Sequence, residues 1–210
     1  MTRASAFTAV VVAGVLVAAC SDPAKDKPKA QVGAPVAQAP APAVDAMVTY
    51  NVLPATSKIE WTGSKVTGKH DGGFTQFKGT VQVPAGKVQG ARIAVEIQTD
   101  SLVSEPDKLV THLKSPDFFD VQKFPTATFE STTIDAGDSP TAFTITGNLT
   151  LHGVTKSIQF PAKVTATDAA LQATAEFVIN RKDFGLVYPG MPDDLIRDDV
   201  VIRLNLNAPK

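Results

Sequence analysis

The feature that most constrains the fold of this chain is an alternation of apolar and polar residues with a period of two. In residues 92–98, for example, Ile93, Val95 and Ile97 occupy every second position. Neighbouring side chains of a strand point to opposite faces, so each such run can bury one face and leave the other in water. The runs are joined by clusters of Gly, Asp, Pro and Thr, and together they predict an antiparallel all-β domain. They cover residues 58–62, 80–83, 92–98, 143–151, 158–164, 171–179 and 200–206.

Two architectures are compatible with these strands, a sandwich of two sheets and a barrel closed on itself. A barrel that encloses one apolar ligand needs about eight strands with many aliphatic residues on the inner face. The core of a sandwich would have the same composition. The alternation therefore leaves both architectures open.

One helical stretch interrupts the strands. Residues 104–107, with the sequence SEPD, resemble a capping box with a proline near the first turn. Leu109, Val110 and Leu113 follow on one face at helical spacing. The pattern predicts a short helical insertion between strands.

The segment after this helix, residues 113–129 with the sequence LKSPDFFDVQKFPTATF, carries two adjacent aromatic residues. Ser115 is a typical N-cap, and Pro125 returns the chain to extended backbone. Phe118 and Phe119 then share one helical turn, where it is costly to leave both rings in water. We expect them to close the open end of a container that the surrounding strands build.

The N-terminal residues are typical of an export signal. Arg3 is the only charge before an apolar run of about 14 residues, which is too short to span a bilayer as a helix. The run ends in the sequence LVAAC at residues 16–20, which resembles the lipobox of a bacterial lipoprotein. That resemblance implies a signal peptide over residues 1–19 and acylation of Cys20. Ser21, by analogy with the sorting rules of such proteins, favours the outer membrane, facing the periplasm.

Residues 20–46 are rich in alanine and proline and contain no aromatic residue. Such a segment cannot bury enough apolar surface to order itself, so it is predicted to be a disordered tether. About 25 residues reach ~30 Å as a coil or ~80 Å as polyproline. A single domain over residues 47–210 could therefore stand clear of the membrane that anchors it.

Charge and cysteine usage narrow the range of partners. The formal net charge is −1, or −2 once Arg3 is removed, and no basic patch is visible. Nucleic acid is therefore not an expected partner. Cys20 is the only cysteine, so the exported domain has no disulfide and its core must stabilise it.

Neither a catalytic site nor a metal site is predicted. The three histidines, at positions 70, 112 and 152, are too far apart in the sequence to indicate a ligand cluster. The aspartates within residues 193–199 lack the spacing of an EF-hand and fit a solvated acidic loop paired with Arg197 or Arg203. The chain has no G-x-S-x-G motif, no glycine-rich phosphate loop and no paired nucleophile and base.

Four segments together resemble the YceI-like family, bacterial polyisoprenoid-binding proteins with an extended lipocalin-like barrel. They are FTQFKG at residues 74–79, KLVTHLKSPDFFDVQKFPTATF at 108–129, GNLTLHGVTK at 147–156 and INRKDFG at 179–185. The four occur in this order and span nearly the whole domain. The resemblance stops at the signal and the tether.

The resemblance implies an all-β, eight-stranded antiparallel lipocalin-like barrel with a short helical insertion. Its lumen would hold the isoprenoid tail of a quinone or polyprenyl lipid, and no other cofactor is implied. The candidate lumen residues are aromatic and aliphatic side chains of the strands and the insertion: Trp61, Phe74, Phe77, Ile93, Val95, Leu109, Leu113, Phe118, Phe119, Phe129, Leu149, Phe177 and Phe184.

These expectations describe a non-catalytic lipoprotein of the bacterial cell envelope that binds, sequesters or transports an isoprenoid lipid. Two other classes stay open. One is an interaction module that supports envelope complexes through its outer surface, and the other is an enzyme that acts on such lipids. Exposed strand edges would also permit a homodimer.

Overall fold

The structure, a computed structural model, describes residues 22–37, 47–84 and 87–210. The predicted signal peptide, Cys20, Ser21 and residues 38–46 of the predicted tether lie outside the described residues. The strands are β1 (Gln31–Gly33), β2 (Met47–Val52), β3 (Lys58–Ser64), β4 (Lys69–Phe74), β5 (Phe77–Pro84), β6 (Arg92–Gln98), β7 (Leu102–Ser104), β8 (Thr126–Ala136), β9 (Ala142–Leu151), β10 (Val154–Ala166), β11 (Ala170–Asn180), β12 (Gly190–Met191), β13 (Asp194–Leu195) and β14 (Asp199–Pro209). The helix α1 covers Asp107–Lys114, and 3₁₀ turns cover Thr99–Ser101 and Arg181–Phe184.

Except for β12 and β13, these strands form one curled antiparallel sheet in the order β2-β5-β6-β8-β9-β10-β11-β14-β3-β4-β7, with β1 paired to β10. At the far side of the curl, β14 lies against β2 without a ladder between them. The all-β, antiparallel prediction with one short helix is confirmed, and the curl is consistent with a lipocalin-like barrel.

The predicted count of eight strands is wrong. Within the described ranges the main sheet has 12 strands, and β12 and β13 form a separate two-stranded ribbon. Two of the four additional strands are short ones that complete the sheet where the long strands do not pair. β7 extends the edge beside β4, and β1 adds to β10. These short strands have too few residues to give a detectable alternation.

The register of the long strands brings the apolar positions of neighbouring strands together. Val95 of β6 lies opposite Phe129 of β8, and Phe129 lies opposite Leu149 of β9. Because side chains of cross-strand partners share one face of a sheet, these three project into the curl. The inner face of the sheet is therefore continuously apolar across β6, β8 and β9.

The helical insertion is shorter than the sequence indicates. Helix α1 begins after Pro106 without a side-chain cap, so the predicted capping box does not form. After Ser115 the chain makes a series of turns in place of a second helical turn. Phe118 is buried there, on a segment that packs against the curl. No helix of the described ranges is long and apolar enough to cross a membrane.

The sequence LHGV at residues 151–154 predicts a tight turn between two strands, and β9 and β10 are joined there. His152 has φ 51° and Gly153 has φ 74°, the left-handed backbone that a tight hairpin requires. Residues 70–73, with the sequence HDGG, also have a composition that predicts a tight turn, but this prediction is wrong because they are part of β4. The chain reverses earlier, between Ser64 and Lys69.

The N-terminal part of the predicted tether is ordered against the sheet. β10 and β11 pair with each other only over 163–166 and 171–174, and the N-terminal segment fills the gap that follows. It pairs through β1 with Ser157–Gln159 of β10 and bridges Lys29 to Val178 of β11. The amide of Ala30 donates to the Val178 carbonyl (2.8 Å), and the amide of Val178 donates to the Pro28 carbonyl (2.8 Å).

The prediction of a disordered tether is therefore wrong for this stretch. The composition of residues 20–46 does not allow an independent core. Residues 29–33 are nevertheless ordered, because they form backbone hydrogen bonds with parts of β10 and β11 that do not pair with each other. We call residues 22–33 the strap.

Candidate ligand-binding site

The curled sheet encloses a cavity of about 410 Å³, within the size range of ligand pockets. Its wall is formed almost entirely by aliphatic and aromatic side chains. Eleven of the thirteen predicted lumen residues line it: Trp61, Phe74, Ile93, Val95, Leu109, Leu113, Phe118, Phe119, Phe129, Leu149 and Phe177. That these side chains contact a ligand stays a prediction.

The other two predicted residues lie elsewhere. Phe184 is completely buried in the 3₁₀ turn after β11 and does not reach the cavity. The turn ends the alternation of β11, so its side chain no longer follows the inward face of the strand. Phe77 is the first residue of β5 and is buried beneath a shallow surface depression beside Pro54 and Gln98. The lumen prediction is wrong for both positions.

The inner wall is not filled by its own side chains. Ile93, Val95, Phe129 and Leu149 all face the curl, yet each keeps part of its surface accessible. In a close-packed core, residues at such central inward positions would be buried by their neighbours. The hollow is therefore a feature of the fold, and it resolves the choice between sandwich and barrel against a solid sandwich core.

Aromatic rings stiffen two parts of the wall. Phe160 stacks on Phe177 across β10 and β11, with ring centroids 4.1 Å apart, and Phe129 packs beside Phe160 at 5.8 Å. At the helical insertion, Phe74 and Phe119 meet edge to face at 5.9 Å. Such contacts fix the ring positions, which gives the cavity a defined apolar shape.

One end of the cavity is sealed. Val52 and Leu171 line it there and are 0% and 2% exposed. The hydroxyl of Tyr50 donates to the carbonyl of Thr167 (2.7 Å), which ties β2 to the turn between β10 and β11. No charged residue of the described ranges lines this end.

The opposite end reaches the surface. Lys65, His70, Leu186 and Ile196 line it, and the Lys65 side chain keeps 37% of its area accessible. We call these four residues the mouth. Lys65 forms an isolated bridge with Ile196, and the His70 ring lies 3.2 Å from the carbonyl oxygen of Glu105 just before α1. The mouth is thus bounded by the loop after β3, by β4 and by residues 186–196.

Arg181 fixes the loop on one side of the mouth. The residue is 5% exposed, and its guanidinium donates to the carbonyls of Leu186, Ile196 and Arg197 and to the Asp198 carboxylate (3.2 Å). Burial lowers the pKa of Arg181, and the nearby Asp198 charge opposes that effect. An arginine resists deprotonation even when buried, so Arg181 stays a cation that organises the loop.

The charged residues near the mouth are engaged with one another. The Asp194 carboxylate accepts hydrogen bonds from Lys65 and Thr67, which lowers the pKa of Asp194. The acidic loop is thus held to the strand ends. The predicted pairing with Arg197 or Arg203 is not what holds it, because Arg197 contacts Asp22 and Arg203 contacts Asp71.

The arrangement offers little chemistry beyond apolar enclosure. Within the described ranges, no three His, Cys, Asp or Glu side chains come together in a geometry that could hold a metal ion. His112 packs edge to face on Phe118 and Tyr188 and lies 2.9 Å from Asp117. Trp61 Nε1 and Ser64 Oγ are buried without a hydrogen-bond partner, and neither atom is accessible from the hollow.

Sequence reasoning did not identify the mouth. Leu186 and Ile196 lie in a loop without alternation, and Lys65 and His70 are polar residues that a search for an apolar lumen passes over. Their proximity depends on pairings between segments more than 100 residues apart, such as Lys65 with Ile196. The segment INRKDFG at residues 179–185 could have indicated the mouth, because it contains Arg181, which donates to the carbonyls of Leu186 and Ile196.

Comparison with known proteins agrees with this fold. A family model described as the YceI-like domain matches residues 50–208. A UPF0312 protein of Pseudomonas fluorescens (strain SBW25) is 34% identical over 152 residues, which cover 69% of this chain and 79% of the relative. A UPF0312 protein of Pseudomonas putida (strain W619) is 34% identical over 140 residues, covering 63% of this chain and 71% of the relative.

Solved structures share the fold at lower identity. BcnA of Burkholderia cenocepacia superposes with a TM-score of 0.67 at 23% identity, covering 75% of this chain and 99% of that one. A polyisoprenoid binding domain from Saccharophagus degradans, implicated in plant cell wall breakdown, superposes with a TM-score of 0.61 at 14% identity, covering 78% and 99%. Because the family match extends over nearly all of the sheet that encloses the cavity, the chain belongs to the YceI-like family.

Proposed function

We propose that this protein is a non-catalytic carrier that encloses the isoprenoid tail of a quinone or polyprenyl lipid in its cavity. The observation that carries the proposal is the hollow of about 410 Å³ with an almost wholly apolar wall. An apolar chain is the ligand class that such a wall can stabilise, because a charged or strongly polar guest would lose its hydration without compensating hydrogen bonds.

The expected affinity is adequate without a polar anchor. Burial contributes about 0.8 kcal/mol per methylene-sized unit, so one isoprene contributes roughly 3 to 4 kcal/mol. Association costs on the order of 4 to 15 kcal/mol. A few enclosed isoprene units therefore suffice for binding in the micromolar range.

The fold similarity supports the isoprenoid class over other apolar lipids. The domain from Saccharophagus degradans is described as polyisoprenoid binding, and it covers most of this chain. At 14% identity the two proteins share the architecture, and no individual ligand contact is transferred from that domain to this chain.

The proposed location is the bacterial cell envelope, with Cys20 acylated in the outer membrane and the domain facing the periplasm. The support is the sequence LVAAC at residues 16–20, which resembles a lipobox. Several acyl chains on one cysteine would anchor the protein stably, whereas a single chain would not. A carrier held in this way could exchange lipids with the membrane without being lost.

The experiment is to purify the full chain from a native envelope and identify co-purifying lipids by mass spectrometry. We expect one prenyl lipid in near-stoichiometric amount. The matched pair Ala175→Trp and Gln172→Trp shows whether the lipid occupies the cavity. Ala175 lines the hollow and Gln172 is exposed on the same strand, β11.

The added indole should abolish the bound lipid at position 175 and leave it unchanged at position 172. Circular dichroism would show that both variants keep the sheet. A wild-type protein that carries no apolar lipid, or a lipid retained in full by folded Ala175→Trp, would contradict the proposal.

A further inference from the structure

We infer that the mouth of the cavity docks on the surface of a lipid bilayer, so that the carrier exchanges its ligand directly with the membrane. The inference rests on the proposed function, because it concerns how the same cavity is loaded. Two separate features of the described residues support it: an exposed apolar patch around the mouth, and the course of the strap.

The first feature is a group of four apolar side chains whose exposure to water is unfavourable. Val66, Val187, Met191 and Leu195 are 55%, 62%, 62% and 50% exposed. We call them the rim patch. They account for four of the seven large hydrophobic side chains that are exposed within the described ranges. Their concentration in two loops at one end of the molecule distinguishes them from the isolated exposed residues of an ordinary surface.

These four residues directly adjoin the mouth. The amide of Val66 donates to the carbonyl of Leu195 (3.2 Å), which joins the two loops. Val66 and Leu195 are the immediate neighbours in sequence of Lys65 and Ile196, and Val187 follows Leu186. Met191 is carried by the β12–β13 ribbon, in which Gly190 pairs with Leu195. The rim patch therefore borders the opening through which a ligand would pass.

The second feature is that the strap begins at this same end. The Asp22 carboxylate lies 3.5 Å from the Arg197 guanidinium, next to Ile196 of the mouth. Ala24 is 1% exposed and packs on Val178 and Val201 at the outer surface of the sheet. Lys27 contacts Glu176 at 2.6 Å. The start of the strap is thus fixed beside the mouth.

This position sets the distance to the proposed anchor. Cys20 precedes Asp22 by two residues, and consecutive Cα atoms are about 3.8 Å apart, so their Cα atoms are separated by at most about 8 Å. Acyl chains on Cys20 would therefore enter the bilayer next to the mouth. The ordered strap removes the long flexible reach that the composition of residues 20–46 predicts.

A bilayer fits the rim better than an acidic or basic protein partner does. Lysines around the mouth are matched by aspartates: Lys65 with Asp194, Lys69 with Asp71, and Lys182 with Asp198. Asp193, exposed between β12 and β13, adds one negative charge, so the surface near the patch is apolar without a dominant charge. Such a surface suits insertion into the interfacial region of a membrane. Docking should accordingly need no anionic lipid and should be insensitive to salt.

The test uses the full acylated chain in phosphatidylcholine vesicles that contain doxyl-labelled lipid. Cys20 is the only natural cysteine, and acylation consumes its thiol, so one introduced cysteine can be labelled specifically with bimane. Met191→Cys reports on the rim, and Leu53→Cys reports on the sealed end, because the turn that carries Leu53 precedes the bond between Ser57 and Asn207 at the far end of β14. Both native residues are exposed, so neither change disturbs the core.

We expect doxyl lipid to quench the label at position 191 several-fold more than the label at position 53. Equal quenching at both sites, an unmodified Cys20, or a rim label shielded by a second copy or another protein would overturn the inference. Such an outcome leaves lipid co-purification untouched, so it would not count against the proposed carrier function.

Exchange kinetics provide a second readout. The double variant Val187→Asp, Met191→Asp should transfer dansyl-labelled farnesol from donor to acceptor vesicles several-fold more slowly than wild type. It should still retain its co-purified lipid, and Leu53→Asp should behave as wild type. An unchanged transfer rate in the double variant would refute direct exchange at the rim.

Discussion

The indole of Trp61 lies so close to Gly72, its partner on the next strand, that a Cβ at position 72 would be only 2.3 Å from the indole Cζ2. The Val103 carbonyl would be 2.5 Å from the same Cβ. The glycine thus makes room between a cavity-lining ring and the edge strand β7, and its absence of a side chain is a packing requirement.

Gly72→Ala should therefore destabilise the domain by about 1–3 kcal/mol, because neither the indole nor the β7 backbone can yield without disturbing the sheet. Urea unfolding measures the loss, and Trp61, the only tryptophan, should show a shifted emission maximum. Gly68→Ala is the matched control, since a Cβ there meets no atom within 4 Å. Equal stability of the two variants would contradict the packing argument.

Arg181 offers a second test, because it shares its acidic partner with an exposed neighbour. Asp198 contacts Arg181 at 3.2 Å and Lys182 at 3.0 Å. Arg181→Met should destabilise the protein by about 3–5 kcal/mol, since it leaves one buried and two partly buried carbonyls without a donor. Lys182→Met should cost less than about 1 kcal/mol, as is usual for an exposed pair.

Hydrogen exchange localises the effect of this change. Residues 186–198 should exchange faster in Arg181→Met and at the wild-type rate in Lys182→Met, because, of these two side chains, only the buried guanidinium donates to carbonyls of that loop. Faster exchange spread evenly over the whole sheet would instead indicate that Arg181 supports global stability without a specific role at the mouth.

The sequence predicted the sheet and most of the cavity wall for one physical reason. Strand alternation is a local signal, and it places Val95, Phe129 and Leu149 inward whatever their partners are. Phe184 escapes this rule because its strand has ended. Residues 70–73 look like a turn from composition alone, yet Gly72 lies in a strand and leaves space for the Trp61 indole on the neighbouring strand. A local sequence pattern cannot indicate this contact between strands.

The strap was missed for a related reason. Its order comes from backbone hydrogen bonds with Val178, about 150 residues away, and from ion pairs at similar separation such as Lys27 with Glu176. Ala24 is buried and Ala30 is partly buried, but both side chains are small, so they do little to raise the hydropathy of the segment. Only the incomplete pairing of β10 with β11 explains why this polar stretch has a place to bind.

Asp71 makes stability depend on pH in a predictable direction. The Thr62 hydroxyl donates to its carboxylate, and Lys69 and Arg203 lie nearby, so the pKa of Asp71 is lowered from its usual 3.8. The folded state therefore favours the charged carboxylate, and this contribution is fully present above the unfolded pKa and lost as the pH falls through the lower folded pKa.

Wild type should thus be more stable than Asp71→Asn at neutral pH, by a small margin because the carboxylate is largely exposed. The margin should be constant above about pH 5 and should shrink as the pH falls below 3.8. Thermal unfolding of both proteins from pH 7 to pH 3 measures it. A margin that grows on acidification would show that the sign is wrong.

The strap provides the last prediction, since the methyl group of Ala24 is the buried apolar contact of its first turn. Ala24→Gln should cost about 0.5–3 kcal/mol and detach residues 22–29 from the outer surface, because the longer side chain cannot fit against Val178 and Val201. Lys25→Gln is the control, as that side chain is exposed. Hydrogen exchange at the Ala30 amide, which donates to Val178, should accelerate in the first variant only. Protection retained at Ala30 in Ala24→Gln would show that β1 stays paired without the first turn of the strap.

The same variant tests the position of the strap at the membrane. If the strap sets the distance between mouth and membrane, Ala24→Gln should slow lipid transfer between vesicles while the cavity stays loaded.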